Sequence, residues 1–357
     1  MATRTVPLID LGKQHAELRS RIDQAIANVI DSGQFVLGPE VAAFETELGE
    51  ACQAKHAVGV SSGTDALLLA LMALGVAPGD EVVTTAFSFF ATAGVIARLG
   101  ATPVFVDIEE HSFNLDPVAA LAAITDRCKA ILPVHLYGRL AALPKTDVPI
   151  LEDAAQSIGS GPPRGLAACY SFFPTKNIGA LGDAGAVVTN DAAYDDKLRL
   201  LRTHGGRPKY IHAEVGGNFR LDALQAAVLR IKLESLDAWT QQRRANASYY
   251  SELFADAQID NLRVPIDSPE HVYHQYTIRV PRRDELGMHL KKHGIRTEVY
   301  YPQPLHLQHC FAELGYKRGN LPIAEACAKS VLSLPIHPHL SRDDQAYVVD
   351  RIRDFYS

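Results

Sequence analysis

Leu151-Glu152-Asp153-Ala154-Ala155-Gln156-Ser157 and Ser171-Phe172-Phe173-Pro174-Thr175-Lys176-Asn177 are the two stretches on which the reading of this chain turns. In the first, an apolar run with the texture of a strand delivers Asp153. In the second, an aromatic run delivers Lys176 just ahead of the flexible Gly179-Ala180-Leu181-Gly182-Asp183-Ala184-Gly185. A carboxylate that keeps a ring nitrogen protonated and an amine that condenses with an aldehyde are two parts of pyridoxal phosphate chemistry. Each residue also has a plainer reading, Asp153 as a cap on a following helix and Lys176 as one more solvated lysine.

Outward from these stretches, strand and helix patterns alternate. Short apolar strands are expected at 57–60, 81–85, 103–107, 128–134, 148–151, 167–172 and 186–189. Between them, amphipathic or apolar runs at 18–30, 39–48, 66–71 and 91–99 read as helices. Such alternation implies an α/β layer with helices over a largely parallel sheet. From Asp191 onward the helices lengthen, at 191–202 and across most of 221–254. A strand over 274–280, a helix over 283–293 and a last helix opened by Ser341-Arg342-Asp343-Asp344 follow. The division expected is a large domain over 1–244 and a small C-terminal α/β domain over 245–357.

Composition bounds the function. The chain has 357 residues, 47% hydrophobic and 21% charged, with a net charge of -6. That is an ordinary globular balance, and it gives no basic field for nucleic acid or a membrane surface. No apolar run reaches the roughly 18–20 residues of a membrane span, and the first residues lack the apolar stretch of a secretory leader. Five scattered cysteines form no CxxC pair, and the histidines form no HExxH or Cys/His cluster, so neither a disulfide framework nor a metal site is expected. Cytoplasmic residence is the simplest expectation.

A third cluster, Ser61-Ser62-Gly63-Thr64-Asp65, stands between the 57–60 strand and an apolar helix. Gly63 permits tight backbone geometry, the helix start offers free N–H groups, and Thr64 adds a hydroxyl. These suit a phosphate; a serine-rich helix cap without ligand fits the same residues. In open α/β sheets ligands bind beyond the carboxyl ends of strands, where all three clusters fall.

With these residues in hand, the chain resembles the DegT/DnrJ/EryC1/StrS family of pyridoxal-phosphate-dependent nucleotide-sugar aminotransferases over essentially its full length. The matching stretches are 61–66, Pro133-Val134-His135-Leu136-Tyr137-Gly138, 151–156, 171–190, Gly217-Asn218-Phe219-Arg220-Leu221-Asp222 and Leu332-Ser333-Leu334-Pro335-Ile336-His337-Pro338. The resemblance implies a fold type I aminotransferase that works as a homodimer with active sites at the interface. It implies Lys176 as Schiff-base lysine and acid/base, Asp153 at the pyridine nitrogen and Gln156 at the cofactor ring. Gly63, Thr64, Asp65 and Ser171 match the phosphate cradle, and Asn218 a phosphate contact from the partner subunit. Phe89 falls where relatives stack an aromatic ring on the cofactor, though a core phenylalanine is its plain alternative. Two departures bear on substrate contacts: Ile158 replaces a histidine common in relatives, and the 157–167 loop is short.

The implied reaction passes an amino group, from L-glutamate, to a dTDP- or UDP-linked keto-deoxysugar. The stretch Arg207-Pro208-Lys209-Tyr210-Ile211-His212, followed by Gly217-Asn218-Phe219-Arg220-Leu221-Asp222, resembles members that aminate carbon 3 more than many carbon-4 enzymes. Tyr210, His212, Arg220, Tyr301 and His306 are the candidates for the sugar-nucleotide site, since a diphosphate favours cations and hydrogen-bond donors. Two other readings stand beside it. One is a regulatory or scaffold protein retaining the fold. The other is a sugar dehydratase, against which Lys176 argues because that class resembles this one with histidine in the lysine's place.

Overall fold

Glycine and proline set the first boundaries. Gly33, at φ 66°, ends α1 (Leu11–Ser32), and Pro39 sits in the first turn of α2 (Pro39–Ala51). In the computed structural model, which describes residues 4–357, the chain continues through β1 (His56–Val60), α3 (Gly63–Ala73), β2 (Glu81–Thr85) and α4 (Ala91–Arg98). It goes on through β3 (Thr102–Val106), α5 (Pro117–Ala122), β4 (Cys128–Leu132), β5 (Leu151–Asp153), β6 (Ala167–Ser171) and β7 (Gly185–Thr189). Then follow α6 (Ala192–Arg202), α7 (Ala223–Leu233), α8 (Leu236–Ala257), β8 (Tyr276–Arg279) and α9 (Arg283–Lys292). The chain closes with α10 (Pro322–Ser330), β9 (Val331–Leu334) and α11 (Arg342–Tyr356). Met1, Ala2 and Thr3, part of the segment read as lacking a leader, lie outside the described residues. No helix among those described is long and apolar enough to cross a membrane.

The main sheet runs β1-β7-β6-β5, and parallel bridges Ile131↔Ile150 and Val134↔Asp153 join β5 to the trio β4-β2-β3. It is mostly parallel, as the alternation implied; β7 alone opposes both its neighbours. The reason is local. The link from β6 to β7 holds the Lys176 loop and no helix, whereas a parallel return requires a crossover. Strands β2 and β7 are buried at every position because helices cover both faces. One expected strand shifts: 148–151 was the expectation, and β5 is Leu151–Asp153. Pro149 has no N–H to give a ladder, and its carbonyl serves Ile131 N–H instead.

Helix α8 is shared by two cores. Its Leu236 and Trp239 pack with Phe44, Phe172 and Leu221, while its Ala247, Tyr250 and Phe254 pack with Tyr276, Ile278 and Ile352 beside the antiparallel β8-β9 pair. A further cluster joins Phe87 and Phe105 to Leu305, Phe311 and Val331. The first described residues also sit on the C-terminal part, through Val6↔Ile295 and an Arg4–Asp344 ion pair at 2.7 Å.

An ionic knot ties α2 to α6 under β1. Buried Glu45 accepts from Arg202 Nη1 at 2.5 Å, Arg199 Nη1 at 2.7 Å and Gly59 N–H at 2.8 Å. Removing one member of a buried ion pair strands its partners without counter-charge. Glu45→Ala is therefore expected to lower stability by about 3–5 kcal/mol in urea unfolding. A loss under about 1 kcal/mol would show the knot to be as weak as an exposed pair.

Candidate active site

Helix α3 begins where β6 ends, and the approach is possible because residue 63 has no side chain. A Cβ on Gly63 would lie 2.5 Å from Ser171 Cβ. Ser62 caps the helix, its Oγ accepting from Asp65 N–H at 3.0 Å and its carbonyl from Ala66 N–H at 2.9 Å. The Gly63 and Thr64 N–H groups fall in the turn where no intrahelical acceptor exists. They lie beside Ser171 at the positive end of the helix. Asp65 turns away from this cradle and accepts from Ser61 Oγ at 2.6 Å.

Strand β5 places Asp153 at its carboxyl end, 5% exposed. Its Oδ2 accepts from Thr92 Oγ1 at 2.8 Å, and its Oδ1 from Ala155 N–H at 3.2 Å. Ser88 Oγ lies 2.9 Å from the same Thr92 hydroxyl. Burial raises the Asp153 pKa, and Thr92, the Ala155 N–H and the Lys176 charge only partly offset it. This carboxylate is short of positive charge.

Lys176 follows a tight turn closed by its own N–H to Phe173 carbonyl at 2.8 Å. The side chain is half-buried and lines the same cavity as Asp153. Burial pushes its amine down to about 8, with Asp153 opposing the shift. Below that value the amine is protonated and inert; above it the lone pair is free. Adding pyridoxal phosphate to the protein stripped of cofactor should therefore give a bonding rate that climbs about tenfold per pH unit below 8 and flattens above it. A climb continuing to the ordinary lysine range would mean that the amine is not desolvated.

The cavity measures about 580 Å³, within the usual range for small-molecule sites. Gln156 is oriented in it: Oε1 accepts from Tyr137 N–H at 2.6 Å, leaving Nε2 toward Tyr301 Oη at 3.5 Å. Tyr137 Oη in turn donates to the Tyr300 carbonyl. Phe89 is 58% exposed at the rim, its ring 6.2 Å from Tyr301. It is therefore not a core side chain in the single chain.

The structure thus gathers Gly63, Thr64, Phe89, Asp153, Gln156, Ser171, Lys176 and Tyr301 around one space. The other expected residues fall elsewhere. Tyr210 is 81% exposed, and His212 is turned by its Nδ1 onto the His204 carbonyl at 2.9 Å. Asn218 is exposed and accepts from Arg220 Nε at 2.7 Å. His306, expected at the sugar site, is instead buried off the cavity, its Nε2 3.3 Å from Glu325 Oε1 and its ring edge-on to Tyr316. Conversely, Ser88, Thr92, His274 and Tyr300 are cavity or cavity-backing residues that the sequence reading passed over. Ser88 and Thr92 had one signal, a four-residue spacing at the start of a helix. His274 had none, because it was absorbed into an expected strand.

The pocket suits pyridoxal phosphate on its own terms. It has a glycine-dependent cradle of free N–H groups, a buried carboxyl lacking a cation, and a desolvated amine, on a mostly parallel α/β sheet. That combination defines a pyridoxal-phosphate-dependent transferase of fold type I. The model of the DegT/DnrJ/EryC1/StrS aminotransferase family matches residues 16–353. The chain belongs to that family. It is 50% identical to a pleiotropic regulatory protein of Geobacillus stearothermophilus, over 98% of each chain. It is 44% identical to dTDP-3-amino-3,4,6-trideoxy-alpha-D-glucose transaminase of Streptomyces venezuelae, covering 99% of this chain and 97% of that one. The crystal structure of Streptomyces venezuelae DesV in complex with a ketimine intermediate superposes with a TM-score of 0.94, at 44% identity and 99% coverage of both chains.

Proposed function

We propose that this enzyme passes an amino group from L-glutamate to the ketone of a dTDP- or UDP-linked keto-deoxysugar, at carbon 3. It does so as a homodimer whose two sites are completed across the interface. The observation that carries this reading is one cavity walled by the Lys176 amine, the Asp153 carboxyl and the open N–H groups of α3. The chemistry that bound pyridoxal phosphate supplies is an aldehyde for amines and a ring that withdraws electrons from the substrate carbon.

The protein's part follows from its residues. Gly63, Thr64 and Ser171 would hold the phosphate. Asp153, fixed by Thr92 and Ala155, would keep a proton on the ring nitrogen, and each partner supplies the charge the other lacks. Gln156 Nε2 would donate to the ring's phenolic oxygen, and Phe89 would cover one ring face. Lys176 would hold the cofactor in the resting enzyme and, once free, would carry the proton at the substrate carbon.

Dimerisation is supported by what one chain leaves uncovered. Tyr210, Ile211, Val215, Phe35, Val36, Phe90 and Phe173 are exposed apolar or aromatic side chains. Asn218 and Arg220 share the 203–220 loop with three of them and would serve the partner's phosphate and sugar-nucleotide contacts, with Tyr210 and His212 beside them. The division at 244/245 accords with the change of core along α8. A regulatory role is favoured by the name of the Geobacillus stearothermophilus relative, but it does not call for the desolvated Lys176 amine that transamination uses.

The test is to incubate the holoenzyme with L-glutamate and a panel of dTDP- and UDP-linked 3-keto and 4-keto sugars, with product structure by NMR. A 3-amino sugar is expected. No amino sugar from any member of the panel would leave the regulatory reading in its place.

A further inference from the structure

The residue after Lys176 fixes a cavity histidine in a single tautomer. Asn177 is buried, and its Nδ2 donates to the Val272 carbonyl at 3.3 Å. The Val272 segment is itself pinned by its N–H to Gly138 carbonyl at 2.9 Å. This turns Asn177 Oδ1 toward His274 Nδ1, 3.1 Å away. An amide oxygen only accepts, so Nδ1 carries the ring proton and Nε2 bears the lone pair. The backbone around the ring is held from behind, where Arg243 Nη1 donates to the Tyr273 carbonyl at 3.1 Å and the Ile336 carbonyl at 3.1 Å.

His274 is 4% exposed and shares the cavity with Lys176, Asp153 and Gln156. No hydrogen bond from a described residue meets its Nε2. Burial and the neighbouring Lys176 and Arg243 charges hold the ring's pKa well below the ordinary histidine value, so it stays neutral. A neutral acceptor with a fixed lone pair therefore lines the same cavity as the Lys176 amine.

We propose that His274 is a positioning residue whose Nε2 accepts a hydrogen bond from the Lys176 amine once that amine is free. The contact aims the lysine at the substrate carbon while it carries the proton, and no charge is left on the imidazole. This rests on Lys176 being the moving amine of the proposed transamination.

Two substitutions separate the halves of the ring. His274→Asn keeps a donor for Asn177 and loses the acceptor at Nε2; His274→Gln keeps an acceptor there and loses the lock. In rapid-mixing measurements, His274→Asn should slow the glutamate and keto-sugar half-reactions alike by about 10- to 100-fold, with half-saturating concentrations unchanged. His274→Gln should recover most of that loss. Independently of activity, ¹⁵N NMR of the protein with and without cofactor should show His274 protonated at Nδ1 and bare at Nε2 across neutral pH. A proton on Nε2, an Asn variant as fast as wild type, or an effect confined to the half-saturation of one substrate would overturn the proposal. If the Asn variant fails to fold, the ring state and the Gln variant decide. Wild-type protein that aminates no sugar would defeat the transaminase reading instead, and the ring measurement would be untouched.

Discussion

Lys176→Ala is expected to lose repeated turnover by at least about 10³-fold, the scale on which a positioned acid/base and nucleophile act together. The argument is electrostatic. Most lysines hold their proton at neutral pH, but burial brings this amine down to about 8, within reach of the free-base form. Asp153 limits the drop, so the same nitrogen takes and releases a proton under ordinary conditions. The substitution removes no cradle group: Gly63, Thr64, Ser171 and Asp153 stay in place, so cofactor binding should weaken without vanishing. Lys232 is the natural control. Burial also lowers its amine to about 8, but its Nζ donates to the Gly179 carbonyl at 2.5 Å and lies 3.0 Å from His15 Nε2. It is outside the cavity wall. A Lys176→Ala enzyme that kept wild-type multiple turnover would refute the assignment.

Asp153→Asn should be nearly as costly, about 10²–10³-fold in turnover, because a neutral amide cannot hold a proton on the ring nitrogen by charge. Stability should move the other way. Burial raises the folded-state pKa of Asp153, so the folded chain favours the protonated form. Its ionisation costs stability that is intact below the ordinary carboxylate value and lost as pH rises through the folded value. At neutral pH, then, the cofactor-free Asn variant should melt higher than wild type while turning over far more slowly. A variant that melted lower and kept its activity would mean that the carboxylate serves the fold and not the reaction.

Much of this was legible beforehand because it depends on local chemistry. Asp191 and Ser341 were readable as helix starts, and their side chains accept from Tyr194 N–H at 2.9 Å and Asp344 N–H at 3.1 Å. The order of short apolar strands and helices gave the α/β layer, and the Asp153 and Lys176 stretches offered a carboxylate and an amine whose roles the family resemblance then decided. The run 221–254, however, hid a break between α7 and α8 at Glu234 and Ser235, where neither glycine nor proline marks it. What was not legible depends on distant partners. Thr92 reaches Asp153 from 61 positions away, and His274 meets Asn177 across 97. Nothing in either local sequence signals such contacts. His306 misled for a related reason: its charge type suited a diphosphate, but Glu325, on a helix further along the chain, claims it.

One side chain must form a covalent bond to vitamin B6 phosphate if this account of the cavity is right. Borohydride treatment of the loaded protein, followed by peptide mass mapping, locates that bond directly. The added mass should fall on the peptide bearing Lys176 and be absent from the one bearing Lys232. Label on Lys232, or on no lysine, would contradict the account.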